Sequence, residues 1–266
     1  MDSRCRHANA RRVATTQRGV LQLCDSRPLH VLQADPSLGD ALAPDRFSAA
    51  RAEIIAASAL LEPSGEDAVW MPDGPPTGFG LMVVSGLLVR RVVIGERCRS
   101  ELVGPGDVVR PWDSDTAGQL PADASVRWRV SSPTRVAVLD QRLLESASSW
   151  PEITGALLTR VARRAQSLSV LLAVSCANRV EDRVALVLWH LANRWGRVTP
   201  RGVRLELPLT HELLAELVGA RRPTVTSALA RLSDTKTVVR DGPRAWLLPG
   251  LTQRGGFGHR LAAPAA

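Results

Sequence analysis

The chain of 266 residues has no tyrosine, a single lysine and only four cysteines, Cys5, Cys24, Cys98 and Cys176. No two of these form a C-x-x-C pair, so neither a zinc ribbon nor an iron–sulfur cassette is signalled. The thiols read as buried or idle in a reducing compartment. The five histidines, His7, His30, His190, His211 and His259, show no H-x-x-x-H spacing, and no metal or cofactor is expected. The motifs G-x-S-x-G, P-loop, H-E-x-x-H and G-x-G-x-x-G are all missing, which speaks against an enzyme. No apolar run approaches the ~18 residues of a membrane span; the longest, "IIAASALL" and "SVLLAV", fall far short. The start, "MDSRCRHANARRVATTQRG", is basic but lacks the apolar h-region of a secretory signal. These absences leave a chain expected in the cytoplasm, away from membranes.

What is present suits two domains. The apolar share of 45% is enough to build cores. The net charge of +8 is unevenly spread. Residues 1–149 hold 17 arginines against 18 acids, whereas residues 150–266 hold 16 arginines and Lys236 against 8 acids. A GC-rich coding sequence accounts for arginine in place of lysine but not for this asymmetry, which is the footprint of a polyanion-binding C-terminal domain.

Residues 1–28 lack periodicity and read as a flexible tail, as do residues 251–266. Helical pieces follow, and "PDRFSAARAEIIAASALLE" repeats apolar residues at helical spacing after Pro44. From 67 to 140 short alternating strands take over, with turns expected at Ser85-Gly86, Gly95-Glu96 and Gly104-Pro105-Gly106-Asp107. That grammar predicts a β-sandwich or barrel within 29–149. At residue 150 the pattern returns to helix. Ser148 or Ser149 is placed to cap, and Pro151 opens a helix of some 27 residues, about 40 Å long. Leu158, Ala165 and Leu172 share one heptad position, with Val161, Leu168 and Ser175 at the other. A stripe this long exceeds what one small barrel covers and predicts a dimer seam over 150–178.

A further helix is expected over 179–195, then a strand in "VRLELPL". In "LTHELLAELVGARRPTVTSALARL", Thr210 stands at an N-cap and Leu213, Leu214, Leu217 and Val218 form a buried face. Gly219 follows the last helical residue, where a left-handed turn is needed. Pro223 suits the first turn of the next helix. Val225, Ala228, Leu229 and Leu232 would face inward, leaving Arg222, Thr226 and Ser227 outward, with Arg221 at the leading edge and Thr224 beside them. This is the helix-turn-helix pattern, with arginine and hydroxyl groups at the end that meets base edges. "TVVRDGPRAWLL" reads as a hairpin turning at Asp241-Gly242-Pro243, a wing carrying Arg240 and Arg244 for phosphates.

Over residues 65–250 the layout resembles the Crp/Fnr family of bacterial transcription regulators, in "VVSGLLV", "GPGDVV", "VARRAQ" and above all the helix-turn-helix block. The resemblance implies an α+β chain: an N-terminal jelly-roll resembling cyclic-nucleotide-binding domains (29–149), a dimerisation helix (150–178) and a C-terminal winged helix-turn-helix (179–250). It implies double-stranded DNA, a second copy of the chain and RNA polymerase as partners. Thr210 would contact phosphate, and Arg222, Pro223 and Ser227 would read the groove. Cyclic-nucleotide-binding members carry Gly-Glu and Arg-Ser pairs after the G-D turn; here Arg110-Pro111 and Ala124-Ser125 occupy those places. Leu168-Ser169 stand where cAMP-binding members have Thr-Ser. Arg110, Trp112, Arg127, Leu168 and Ser169 are the candidate lining of a pocket that takes an unknown effector or none. The competing reading is a small-molecule sensor acting through protein partners.

Overall fold

The computed structural model describes residues 20–21, 27–63, 69–70, 78–112 and 124–249. They divide into two compact units, residues up to 91 with 102–164, and residues 92–101 with 165 onward. The two expected tails lie almost wholly outside the described residues.

In the first unit β1 (Val20–Leu21) pairs in parallel with β4 (Val69–Trp70). The main sheet holds β2 (Arg27–His30), β3 (Ile55–Leu61), β5 (Gly80–Ile94), β6 (Arg97–Val103), β7 (Val108–Val109) and β8 (Ala124–Leu139). Its order is β2-β3-β8-β5-β6, with β7 paired to β5. The helices are α1 (Val31–Ala34), α2 (Pro44–Glu53), α3 (Gln141–Ala147) and the first half of α4 (Pro151–Ser175). One core joins sheet to helices: Ile54, Met82, Val108, Ala137 and Leu139 pack with Leu143, Trp150, Ile153 and Leu157. The first turns of α4 are thereby anchored through one face, and Trp150 Nε1 donates to Glu53 Oε2 at 3.0 Å.

The structure corrects the sequence reading in four places. The helix begun at Pro44 ends at Glu53, and "IAASALL" is strand β3. Alanine favours helix, but pairing with β2 on one edge and β8 on the other overrides local propensity. Arg27 and Pro28, assigned to the tail, are strand residues paired with Ser58 and Ala57. At Ser85-Gly86 the chain kinks without ending the strand. Gly86 has φ +91°, and a Cβ there would sit 2.3 Å from the Pro133 carbonyl oxygen, so only glycine lets β5 pass that close to β8. Finally, Ser148 caps the C-terminal end of α3, its hydroxyl donating to Glu145 O at 2.6 Å, and Trp150 directly precedes α4. The turn at Gly104–Asp107 stands as expected, with the Asp107 carboxylate accepting from Gly104 N at 2.9 Å.

The second unit contains the rest of α4, then α5 (Val180–Trp195), β9 (Arg197–Thr199), β10 (Gly202–Glu206), α6 (His211–Val218), α7 (Arg222–Asp234), β11 (Val239–Arg240) and β12 (Ala245–Leu248). The sheet order β11-β12-β10-β9 puts the β11–β12 hairpin at one edge. Val184, Leu188, Leu214, Val218, Val225, Leu229 and Trp246 are buried between helices and sheet.

Candidate nucleic-acid interface

Helix α6 is fixed at both ends. Thr210 accepts from Leu213 N at 3.1 Å, satisfying an otherwise orphaned donor of the first turn. This use of its oxygen leaves the hydroxyl hydrogen available to a phosphate. Gly219 adopts φ +63°, ψ +49°, the left-handed conformation that the sequence pattern called for. Arg183 of α5 donates to the carbonyl of Val218 at 3.0 Å, placing a cation at the negative end of α6. Composition did not point to Arg183, because nothing local marks a residue that acts 35 positions away.

Helix α7 starts at Arg222 with Pro223 in its first turn. Val225, Ala228, Leu229 and Leu232 are buried, while Arg221, Arg222, Pro223, Thr224, Thr226 and Ser227 are exposed. Spacing of 3.6 residues per turn produces that division. The exposed face is arginine and hydroxyl chemistry at the N-terminal half of the helix, where partial positive charge also favours anions. Thr226 Oγ1 donates to Arg222 O at 3.1 Å and lies 2.9 Å from His211 Nδ1. Ser227 Oγ donates to Pro223 O at 3.2 Å.

The β11–β12 hairpin forms at the expected place, with Gly242 at φ +104° and Asp241 N donating to Ala245 O at 3.0 Å. Asp241 pins it to β10, accepting from Arg204 Nε at 2.8 Å and Arg201 Nη2 at 3.2 Å. The Arg204 hydrogen bond is the main cause holding the Asp241 carboxyl below the usual carboxylate range, with Arg201 adding to it. Arg240 turns inward, its guanidinium 4.2 Å from the centre of the Trp246 ring and hydrogen-bonded to Pro243 O. Arg244 is exposed beside the turn.

The candidate effector residues are distributed over both units. Arg110 donates to Gly78 O at 2.6 Å, with its guanidinium 5.9 Å from the Trp112 ring. On β8, Val126, Trp128 and Val130 point into the core, Trp128 with 2% exposure, and Arg127 stands exposed on the opposite face. Leu168 and Ser169 are exposed on α4, and the Ser169 hydroxyl donates to Ala165 O at 3.2 Å.

The remainder of α4 shows why the heptad stripe matters. Ile153 and Leu157 serve the core, yet Leu158 is 54% exposed, Val161 42%, Leu168 37% and Leu172 70%. Four large apolar side chains on one long helix are thus uncovered in the single chain. Beside them, Ser167 is buried against α5. Arg194 Nη1 donates to Ser167 Oγ at 3.1 Å, and Ser167 Oγ lies 2.6 Å from His190 Nε2. Burial, with Arg194 adding to it, pushes the His190 pKa down to about 4. The chain order gave no sign of this cluster, which only the packing of α4 on α5 assembles.

Among the described residues no cluster of three or more His, Cys, Asp or Glu side chains is placed to hold a metal, and no helix is long and apolar enough to cross a membrane. A family model described as a Crp-like helix-turn-helix domain matches residues 182–249. The "CRP-like cAMP-activated global transcriptional regulator" of Mycobacterium tuberculosis is 30% identical over 183 residues, covering 65% of this chain and 80% of that protein. A cyclic nucleotide-binding domain containing protein of Listeria monocytogenes matches in fold with TM-score 0.61 at 17% identity, over 81% of this chain and 97% of that one. A CooA mutant of Carboxydothermus hydrogenoformans matches with TM-score 0.55 at 16% identity, over 85% of this chain and 93% of that one.

Proposed function

Because the chain belongs to the Crp/Fnr family of transcription regulators, we propose that it acts as a homodimer reading a palindromic DNA operator, under an effector other than cAMP or under none. The observation that carries the reading is the division of α7. Its apolar half is consumed by the core, and its remaining half offers Arg221, Arg222, Pro223, Thr224, Thr226 and Ser227 to a partner. Thr210 and Arg244 supply phosphate contacts on either side. Arg240, held on Trp246, contributes charge to the wing more than a mobile arm.

The two arginines divide the work. Arg222 lies on the same face as Thr226, from where its fork reaches O6 and N7 of a guanine, a contact worth about 1–3 kcal/mol of discrimination. Arg221, about 100° round the helix, meets the sugar–phosphate strand. Selection on randomised duplexes at several salt concentrations tests this. Arg222→Ala should relax base preference at one position per half-site. Arg221→Ala should weaken all sequences alike and lower the salt slope by about two per dimer. Unchanged motif and slope in both variants would exclude α7 as the reader.

The effector reading rests on the absence of a cation for a cyclic phosphate. An anionic phosphate needs a guanidinium or several N–H donors. The residue at the expected place is Ala124, Arg127 faces away from the core, and Arg110 is bound to Gly78 O. Calorimetric titration with cAMP should show no binding up to about 1 mM, equivalent to less than about 4 kcal/mol of binding free energy. A micromolar constant would overturn it.

A further inference from the structure

We infer that His211 locks Thr226 as a hydrogen-bond acceptor, so that each half-site position under Thr226 selects an amino base, adenine or cytosine, over a keto base, guanine or thymine. The inference rests on the DNA-reading role of α7 proposed above and names part of its specificity.

The argument is an inventory of one hydroxyl. A threonine side chain has a single hydrogen to give and two lone pairs. The carbonyl of Arg222, 3.1 Å from Thr226 Oγ1, can only accept. That hydrogen therefore goes to Arg222 O, the usual back-bond of a helical threonine. The second contact, at 2.9 Å, brings His211 Nδ1 to the same oxygen. Both contacts are hydrogen bonds at once only if Nδ1 carries a proton and donates. The neutral Nδ1–H tautomer and the imidazolium both do this, so the assignment holds in either charge state. One lone pair of Thr226 Oγ1 remains, and it faces outward because Thr226 is exposed on α7.

Ser227 makes the contrast. It has the same back-bond, to Pro223 O at 3.2 Å, but no histidine donating to it. Its hydroxyl can leave that carbonyl and donate outward at small cost. Thr226 cannot do so without also facing the His211 N–H with no acceptor to receive it. Serine and threonine are normally tolerant readers because the hydroxyl rotates to suit the base. Here one of the two adjacent hydroxyls is tolerant and the other is fixed.

The chemical consequence follows from the major-groove edges. Adenine presents N6–H2 and cytosine N4–H2, which donate; guanine O6 and thymine O4 only accept. A fixed acceptor pairs with the first two and opposes the lone pairs of the others, leaving two buried acceptors unsatisfied. His211 in this account touches no base; it is a positioning residue. It opens α6 directly after Thr210, so the same helix end supplies a phosphate contact and sets the state of a reading residue on α7.

Selection on randomised duplexes with the full-length protein tests this, comparing wild type with Thr226→Val, His211→Phe and His211→Asn. Wild type should show about tenfold preference for A or C over G or T at one position per half-site. Thr226→Val should abolish that preference and leave the Arg222 position intact. His211→Phe should reduce it to about twofold, since the freed hydroxyl can then donate to keto oxygens. His211→Asn, whose amide N–H can replace Nδ1–H, should restore it. A keto preference at the position lost in Thr226→Val, an unchanged motif in that variant, or full discrimination in His211→Phe each overturns the inference while leaving α7 as the reader. Absence of any enriched motif in the wild type overturns the reading role itself.

Discussion

Leu172→Glu should convert a dimer into a monomer at micromolar concentration and cost at least about a hundredfold in affinity for a palindromic duplex, because the second half-site contact ceases to be intramolecular. Leu172 is 70% exposed, so the substitution does not disturb the core of its own chain. In a dimer the same position lies in the seam formed by Leu158, Val161, Ala165 and Leu168. Two carboxylates would then be desolvated opposite one another, at several kcal/mol unless they move or take up protons. Sedimentation velocity separates the outcomes, and circular dichroism verifies that the variant remains folded. The core-facing stripe of α4 is a different one, Ile153 and Leu157, which is why the apolar heptads cannot be explained by packing on the β-sheet domain. A wild-type protein that sediments as a monomer removes the proposed seam outright.

Acidification should destabilise the second unit between about pH 6.5 and pH 4, and His190→Gln should remove that sensitivity. His190 titrates near 6.5 when unfolded and at about 4 in the folded chain. Above pH 6.5 it is neutral in both states and its contribution to stability is complete. As the pH falls, the unfolded chain takes up the proton first, so stability is lost progressively until about pH 4. The linkage ceiling is about 3 kcal/mol, and residual solvent access to the ring lowers the expectation to about 2 kcal/mol. The hydrogen bonds agree with this direction. Arg194 donates to Ser167 Oγ, so the Ser167 hydrogen points to His190 Nε2, which must be bare. A protonated ring would set two donors against each other beside a guanidinium. Denaturant melts across the pH range test it; equal acid sensitivity in wild type and His190→Gln would rule out this residue as the cause. Since Ser167 lies on α4 and His190 on α5, the melt also reports the joint between the dimer helix and the helix-turn-helix.

The sequence alone determined the features that depend on neighbours within a few residues. Thr210 at an N-cap, Gly219 in the left-handed turn, Pro223 in a first turn and the Asp241-Gly242-Pro243 bend each follow from the backbone demands of one residue type. The 3.6-residue period separated the buried and exposed halves of α6 and α7, so the family resemblance and the candidate reading face were legible before any coordinates. Tertiary structure decided what depends on residues brought from afar. "IAASALL" became a strand because β2 and β8 flank it, and Gly86 became a kink because Pro133 passes close behind it. Arg183 on the end of α6, Arg240 on Trp246, the Ser167–His190–Arg194 cluster and the His211–Thr226 lock all join positions that no local period connects. A hydrogen bond is specified by distance and direction to within a few tenths of an ångström, and a sequence read for periodicity carries neither.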